Sequence, residues 1–209
     1  MYSHPGFQDF VFLQSLSIAS SHEIFLVITS KASWGALWAT KATVFPSYLS
    51  TKYLQNFLTL FSTSVKDSPF GNGLIIWSSY FTKEELEELL KRDSKLWVYY
   101  YNNIPICSMM LIPAREKDIN KFGFSIDYKR TIDYGPMFVN YDYLGNNLQL
   151  QMLKEEDKYS MEKGYTYAVS TIHPDNSFSI VNFIKDDFKL INTKEFTRGI
   201  RNIYYKELR

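Results

Sequence analysis

The chain has 209 residues, 45% apolar and 22% charged, the proportions of one folded domain or of a domain with a sizeable extension. A formal charge of +1 creates no field that would gather nucleic acid or an anionic bilayer, so neither is expected as a partner. The lone cysteine, Cys107, rules out an internal disulfide framework and makes a cytoplasmic setting the expectation.

Aromatic residues reach 17%, mostly Tyr and Phe, which suits a sheet-rich core or a cleft for a bulky ligand. The most apolar early stretch, "FVFLQSLSIASSHEIFLVITS", is interrupted by Gln14, His22 and Glu23. It falls short of the roughly 20 apolar residues a spanning helix needs. Met1 to Phe10 carries no Lys or Arg, unlike the basic start of a secretion signal. Residues 22–30 read as a strand, from a β-branched and aromatic run. Residues 46–65 read as a helix, with Tyr53, Phe57, Leu60 and Phe61 at helical spacing. Pro69, Gly71 and Gly73 then mark a break. The expected organisation is a single domain over 1–209, with a variable portion at 1–70 and a recognisable core at 71–209.

In "TKEELEELLKRD", Thr82 and Glu85 form a capping box and Leu86, Leu89 and Leu90 a buried stripe, so a helix is predicted. "KLWVYYYNNIPICSMMLIPA" predicts two strands about an Asn102-Asn103 turn. "TIDYGPMFVNY" predicts another strand, bulged or at an edge where Gly135-Pro136 interrupts it. A helix follows from Leu148 to about Lys163, with Leu148, Met152 and Tyr159 on one face and Gly164 as a left-handed stop. "YTYAVSTI" is a strand, "HPDN" a turn capping the short helix "SFSIVNFIKDD", and "FKLIN" with "GIRNIYYKEL" a terminal hairpin. The class is α+β, a mixed sheet covered by helices, with a parallel pair inside 131–172.

The loop Leu144–Asn147 opens a helix, whose start carries unpaired amides and partial positive charge. Gly145 permits close backbone approach, and Asn146 and Asn147 tolerate left-handed geometry. Such a loop is either a plain connection or an anion site suited to a pyrophosphate.

Its surroundings carry a resemblance. "VNYDYLGNNLQ" resembles the acetyl-CoA loop of bacterial-type GNAT N-acetyltransferases, V-x-P-x-Y-R-G-x-G-L-G/Q, through Val139, Tyr143, Gly145, Leu148 and Gln149. Downstream, "HPDNSFSIVNFIKDDF" is similar to the family's H-P-x-N segment and short helix, with His173, Pro174, Asn176, Ser179 and Phe188 in step. The resemblance spans about 71–209 in element order. It implies a GNAT-like mixed central sheet whose splayed strands form an acyl-CoA cleft. It further implies backbone contacts to the pantetheine arm from Met137, Phe138 and Val139. The pyrophosphate would fall to the loop Leu144, Gly145, Asn146, Asn147, Leu148 and Gln149. Asn176, with Ser179 and Phe183 on the same helix, would lie toward the arm near the thioester. The co-substrate would be acetyl-CoA or coenzyme A, with no metal. Leu144 stands where the family has Gln or Arg, Asn147 where it has its central Gly, and Asp187 where a Gly precedes Phe188. Phe183 occupies the position of the Tyr proposed to protonate the leaving thiolate, and Phe has no proton to give.

The implied activity is N-acetyl transfer from acetyl-CoA to a primary amine of a small molecule or peptide by direct attack, in a monomer or homodimer. The alternative is a non-catalytic acyl-CoA-binding or regulatory module on the same fold. The reaction needs a base to neutralise the amine. Asp133 and His173 are the candidates; a surface charge and a turn residue bonding local backbone are their structural alternatives. Asp142 is a further carboxylate in the loop. Tyr134, Tyr141 and Tyr167 could act as acids. Cys107 reads as a buried thiol rather than a nucleophile. His4, His22 and His173 are too scattered for a metal site.

Overall fold

The structure is a computed structural model that describes residues 28–34, 37–44, 85, 88–89, 92–102, 104–197 and 199–209. Within them run β1 (Ile28–Trp34), β2 (Leu37–Val44), β3 (Lys95–Tyr101), β4 (Ile104–Pro113), α1 (Glu116–Phe122) and β5 (Thr131–Val139). Then follow α2 (Leu148–Glu162), β6 (Tyr167–Ile172), α3 (Ser177–Lys185), β7 (Lys189–Phe196) and β8 (Gly199–Glu207). The strands form one eight-stranded sheet in the order β1-β2-β3-β4-β5-β6-β8-β7. All pairs are antiparallel except β5 with β6, which are parallel. This is the α+β mixed sheet that the hydrophobic pattern predicts.

The predicted elements from Lys95 onward form for the reasons legible in the residues. Asn102 takes the positive φ (48°) of the β3–β4 turn. β4 is buried along most of its length, as its continuous apolar run requires of a central strand. α2 buries Leu148, Met152 and Leu153, and the Trp97 ring meets Tyr159 edge-on at 4.9 Å. Gly164, at φ 84°, ends it.

Two elements exceed the sequence expectation. α1 falls where the apolar strand pattern runs out. Its first turn is held by Arg115 Nε donating to Asp118 at 2.7 Å, and it buries Ile119 and Phe122 against Val169 and Ile203. Gly123, at φ 80°, stops it, while the side chains of Asn192 and Lys194 donate to the carbonyls of Phe122 and Lys121. β2 pairs with both β1 and β3. Of the strand read at 22–30, residues 28–30 lie in β1 and the remainder outside the described residues. The helix read at 46–65 and Thr82 of the capping box also lie outside them, though Glu85, Glu88 and Leu89 are helical.

One apolar layer lies between the sheet and α2 with α3, built on Trp97, Met109, Ile132, Tyr134 and Phe183 among others. A second lies under α1 on the opposite face. Side chains alternate along β5, so Ile132 and Tyr134 enter the first layer and Asp133 faces the second.

Candidate active site

The strand read from "TIDYGPMFVNY" is bulged as predicted. Met137 lies opposite Met109 and Tyr134 opposite Leu111, so Gly135 and Pro136 together face the single residue Met110. The Gly135-Pro136 peptide is cis and Gly135 sits at φ 141°, a value that suits only glycine. A bulge bends its strand and sharpens its twist. On its other side β5 pairs with β6 at Thr131↔Tyr167, Ile132↔Ala168 and Asp133↔Val169, and the ladder ends there. Two parallel strands thus part at the bulge and leave a fork. Immediately past the last ladder pair, the buried Ser170 hydroxyl donates to the Tyr134 carbonyl at 2.7 Å.

The mouth of the fork leads to the Gly-Asn-Asn loop. Asn140 accepts from the Asp142 amide and starts a short 3-10 turn over Tyr141–Tyr143. The Asn146 side chain then donates to the Tyr143 carbonyl at 3.0 Å. Gly145 (φ 80°) and Asn147 (φ 55°) both adopt left-handed backbone. Asn147 is the N-cap of α2 and its side chain makes no cap hydrogen bond. A Cβ placed on Gly145 would meet no atom within 4 Å, so the loop faces open space in front of the helix start. Leu144, Gly145, Asn146 and Asn147 are exposed, Gln149 is half-buried and Leu148 is core.

α2 and α3 are tied side by side near this loop. Gln149 Nε2 donates to Ser179 Oγ at 3.0 Å, and Asn182 Nδ2 donates to Gln149 Oε1 at 2.8 Å. Asn176 caps α3 by accepting from the Ser179 amide at 3.2 Å. Gln149, Ser179 and Asn176 thus form one polar seam. Phe183 points elsewhere: it is buried in the main core, with Phe188 at 4.8 Å and Tyr204 at 6.3 Å between ring centres. Asp187, at φ 64°, takes the left-handed backbone that a Gly would take before Phe188. Met137 and Val139 are half-buried and Phe138 is buried, all paired with β4.

Asp133 is the last ladder residue before the fork. Burial pushes its carboxyl up to about 7; the charge of Asp118 adds to this and Arg92 opposes it. His173 follows the end of β6, and its Nδ1 accepts from the Asp175 amide at 3.2 Å, which holds the ring in its own turn. It lies four residues past the partner of Asp133, about 13 Å by strand rise, so the two are not brought together. Asp142 is exposed. Tyr134 is buried, and its hydroxyl donates to Asp157 at 3.0 Å. Burial and the adjacent Asp157 charge hold that phenol well above its ordinary range. Tyr167 stacks on Tyr205. Burial likewise pushes the Cys107 thiol well up, as fits an inert core residue. A cavity of about 210 Å³ is lined by Leu111 of β4 and Ile132 of β5 together with Asp93, Lys95, Tyr159 and Lys163 among others. Among the described residues no acidic, His or Cys group has the geometry of a metal site, and no helix is long and apolar enough to cross a membrane.

No family model matches the chain, and no curated protein matches it in sequence. Solved structures do match its fold. An N-acetyltransferase from Staphylococcus aureus is 17% identical over 81% of this chain and 99% of its own, with a TM-score of 0.58. The GNAT domain of S. lividans PAT is 10% identical over 86% and 97%, with a TM-score of 0.64. The structure of yncA from Salmonella typhimurium, with its cofactor acetyl-CoA, is 13% identical over 81% and 94%, with a TM-score of 0.55. The fold is that of the GNAT N-acetyltransferases.

Proposed function

We propose that the chain binds an acyl-CoA in the β5–β6 fork and transfers its acyl group, acetyl in the first instance, to a primary amine of a small molecule or peptide. The observation that carries this is the fork itself, opening one residue past Asp133 and leading to a left-handed loop at the start of α2. The amides of Gly145 to Gln149 would hold the pyrophosphate, where unpaired helix-start donors and partial positive charge favour an anion. The pantetheine arm would run back along Met137–Val139 toward the bulge. Asn176 would flank it from α3, with its side-chain nitrogen, since its oxygen caps the helix.

Asp133 is the base this geometry favours. It faces the side of the sheet opposite α2, so an amine arriving there meets the thioester from the far side of the fork. A carboxyl held at about 7 can take a proton near neutral pH. The free pair on the amine then attacks the thioester carbon, the carbon–sulfur bond breaks, and the thiolate leaves with coenzyme A. Phe183 cannot protonate that thiolate, so solvent is the proton source in this reading. Binding without transfer is the competing reading, supported by the same absence of a tyrosine at Phe183.

Thermal unfolding with CoA and acetyl-CoA tests the binding. Ligand at 100 times its dissociation constant stabilises by about 2.7 kcal/mol. Gly145→Glu puts a carboxylate in the open space before α2 and is expected to abolish that gain while the protein stays folded. No stabilisation of the unaltered chain at millimolar CoA would sink the proposal. Stabilisation by acetyl-CoA, with no thiol release across a panel of amines, would favour the binding module.

A further inference from the structure

The fork does not end in an open crevice. Its apex is closed by one side-chain bond, Ser170 Oγ–H to the Tyr134 carbonyl, at 2.7 Å. In a continuing parallel ladder that carbonyl would take a backbone donor from β6. Here the ladder has ended at Asp133↔Val169, and a hydroxyl extends the closure by one residue. Both ends of the bond are fixed. Ser170 is 5% exposed and belongs to β6, and Tyr134 is 1% exposed, with its own hydroxyl held by Asp157 and its ring against Phe188 at 5.6 Å. Gly135 comes next on β5, and a Cβ there would lie 4.0 Å from Ser170 Oγ, so the wall is backbone and hydroxyl with no side chain between.

We propose that the Ser170–Tyr134 hydrogen bond sets the depth of the acyl pocket and restricts the chain to short acyl groups. This rests on the acyl-CoA reading above. An arm that starts at the α2 loop and runs along β5 ends beside the bulge, so the acyl group points at this apex. The atoms behind the apex belong to the packed core around Tyr134, Phe183 and Phe188. An acetyl group stops short of the bond. A chain several carbons longer has to part Ser170 from Tyr134, which would leave a buried carbonyl unpaired. Ser170 thereby acts as a positioning residue: it holds the strand backbone that forms the pocket end.

The test compares dissociation constants of CoA, acetyl-CoA and hexanoyl-CoA, measured by calorimetry, for the unaltered chain, Ser170→Ala and Ser170→Thr. The unaltered chain is expected to bind hexanoyl-CoA more weakly than acetyl-CoA. Ser170→Ala should raise the hexanoyl-to-acetyl affinity ratio by about fivefold, the scale of one hydrogen bond, and leave CoA itself unchanged. Ser170→Thr keeps the hydroxyl and should restore the original ratio. Equal binding of acetyl- and hexanoyl-CoA by the unaltered chain overturns the proposal without any variant. So does an unchanged ratio in a folded Ser170→Ala protein that still binds CoA; the acyl-CoA reading survives both results. Failure of the unaltered chain to bind any of the three removes that reading and this one with it.

Discussion

Two left-handed residues show how the chain keeps a backbone shape while changing its chemistry. Asn147 and Asp187 stand where the resembling family has glycines, and both adopt positive φ. Asn and Asp are the non-glycine residues that reach this region at least cost. The departures visible in the sequence therefore leave the loop before α2 and the turn before Phe188 in the shape a glycine would give. Asp133 behaves differently, because its environment changes its chemistry. Its folded carboxyl titrates at about 7 against an ordinary 3.8, so the folded state holds a proton that the unfolded chain has released. Stability from this group is present below the ordinary value and is lost as pH rises from about 4 to about 7. Asp133→Asn removes that loss. The variant should gain about 1–2 kcal/mol relative to the unaltered chain at pH 8, and little at pH 4, a figure cut below the full shift because the side chain is only half-buried. Urea unfolding at the two pH values measures it. The same variant should lose acyl transfer by a hundredfold or more if Asp133 is the base. A stability gain with activity intact would leave Asp133 as a half-buried carboxyl with no part in the chemistry.

At the scale of elements, α3 depends on its cap. It has nine residues, too few to be stable alone, and it exposes Phe178, Val181 and Ile184 while burying Phe183. Asn176 satisfies the Ser179 amide and so fixes where the helix begins, and the Gln149 seam fixes it against α2. Asn176→Ala is expected to cost about 1 kcal/mol, read as a fall in Tm, whereas Asn176→Ser should retain most of it. A loss shared equally by both variants would mean that the cap bond is not what holds the helix. This capping was readable in "HPDN", as were the β3–β4 turn and the span of α2, because Asn, Gly and apolar spacing are local signals. α1 and β2 were not readable, since each owes its place to partners far along the chain: Val169 and Ile203 for α1, β3 for β2. The fork was half legible. Gly135-Pro136 marked the bulge on β5, but nothing in "YTYAVSTI" says that the β6 ladder stops at Val169 or that Ser170 closes the apex. The burial of Phe183 beside Phe188 also depends on tertiary packing that a motif position does not report.

At the scale of the whole molecule, one buried polar knot joins four elements that lie apart in sequence. Lys206 on β8 donates to Asp157 on α2, and to Asp186 after α3 at 2.8 Å. Its ammonium also lies over the Phe188 ring at 5.4 Å, and Asp157 in turn accepts from Tyr134 on β5. The side chains of Lys206, Asp157 and Asp186 are 10%, 15% and 5% exposed, so none is well solvated. Burial holds the Asp186 carboxyl up at about 6 even though the hydrogen bond from Lys206 pulls it down. A folded value above the ordinary 3.8 means that this group, too, withdraws stability as pH rises through that window. Lys206→Met keeps the apolar stem and removes the positive charge that Asp157 and Asp186 share. At pH 8 the variant should lose about 3–5 kcal/mol, the cost of leaving a buried charge uncompensated. At pH 5, below the value of about 6 at which burial holds Asp186, that carboxyl carries less charge and the loss should be smaller by about 1 kcal/mol or more. Adding Asp186→Asn to Lys206→Met should recover part of the stability at pH 8 and little at pH 5. Urea unfolding of the three proteins at both pH values decides the matter. A loss independent of pH, unrelieved by Asp186→Asn, would trace the effect to displaced packing around Phe188 and not to charge. Because Tyr134 belongs both to this knot and to the fork apex, a charge-driven loss should also loosen the grip of Ser170 on the Tyr134 carbonyl, and the hexanoyl-to-acetyl affinity ratio of Lys206→Met should rise with it.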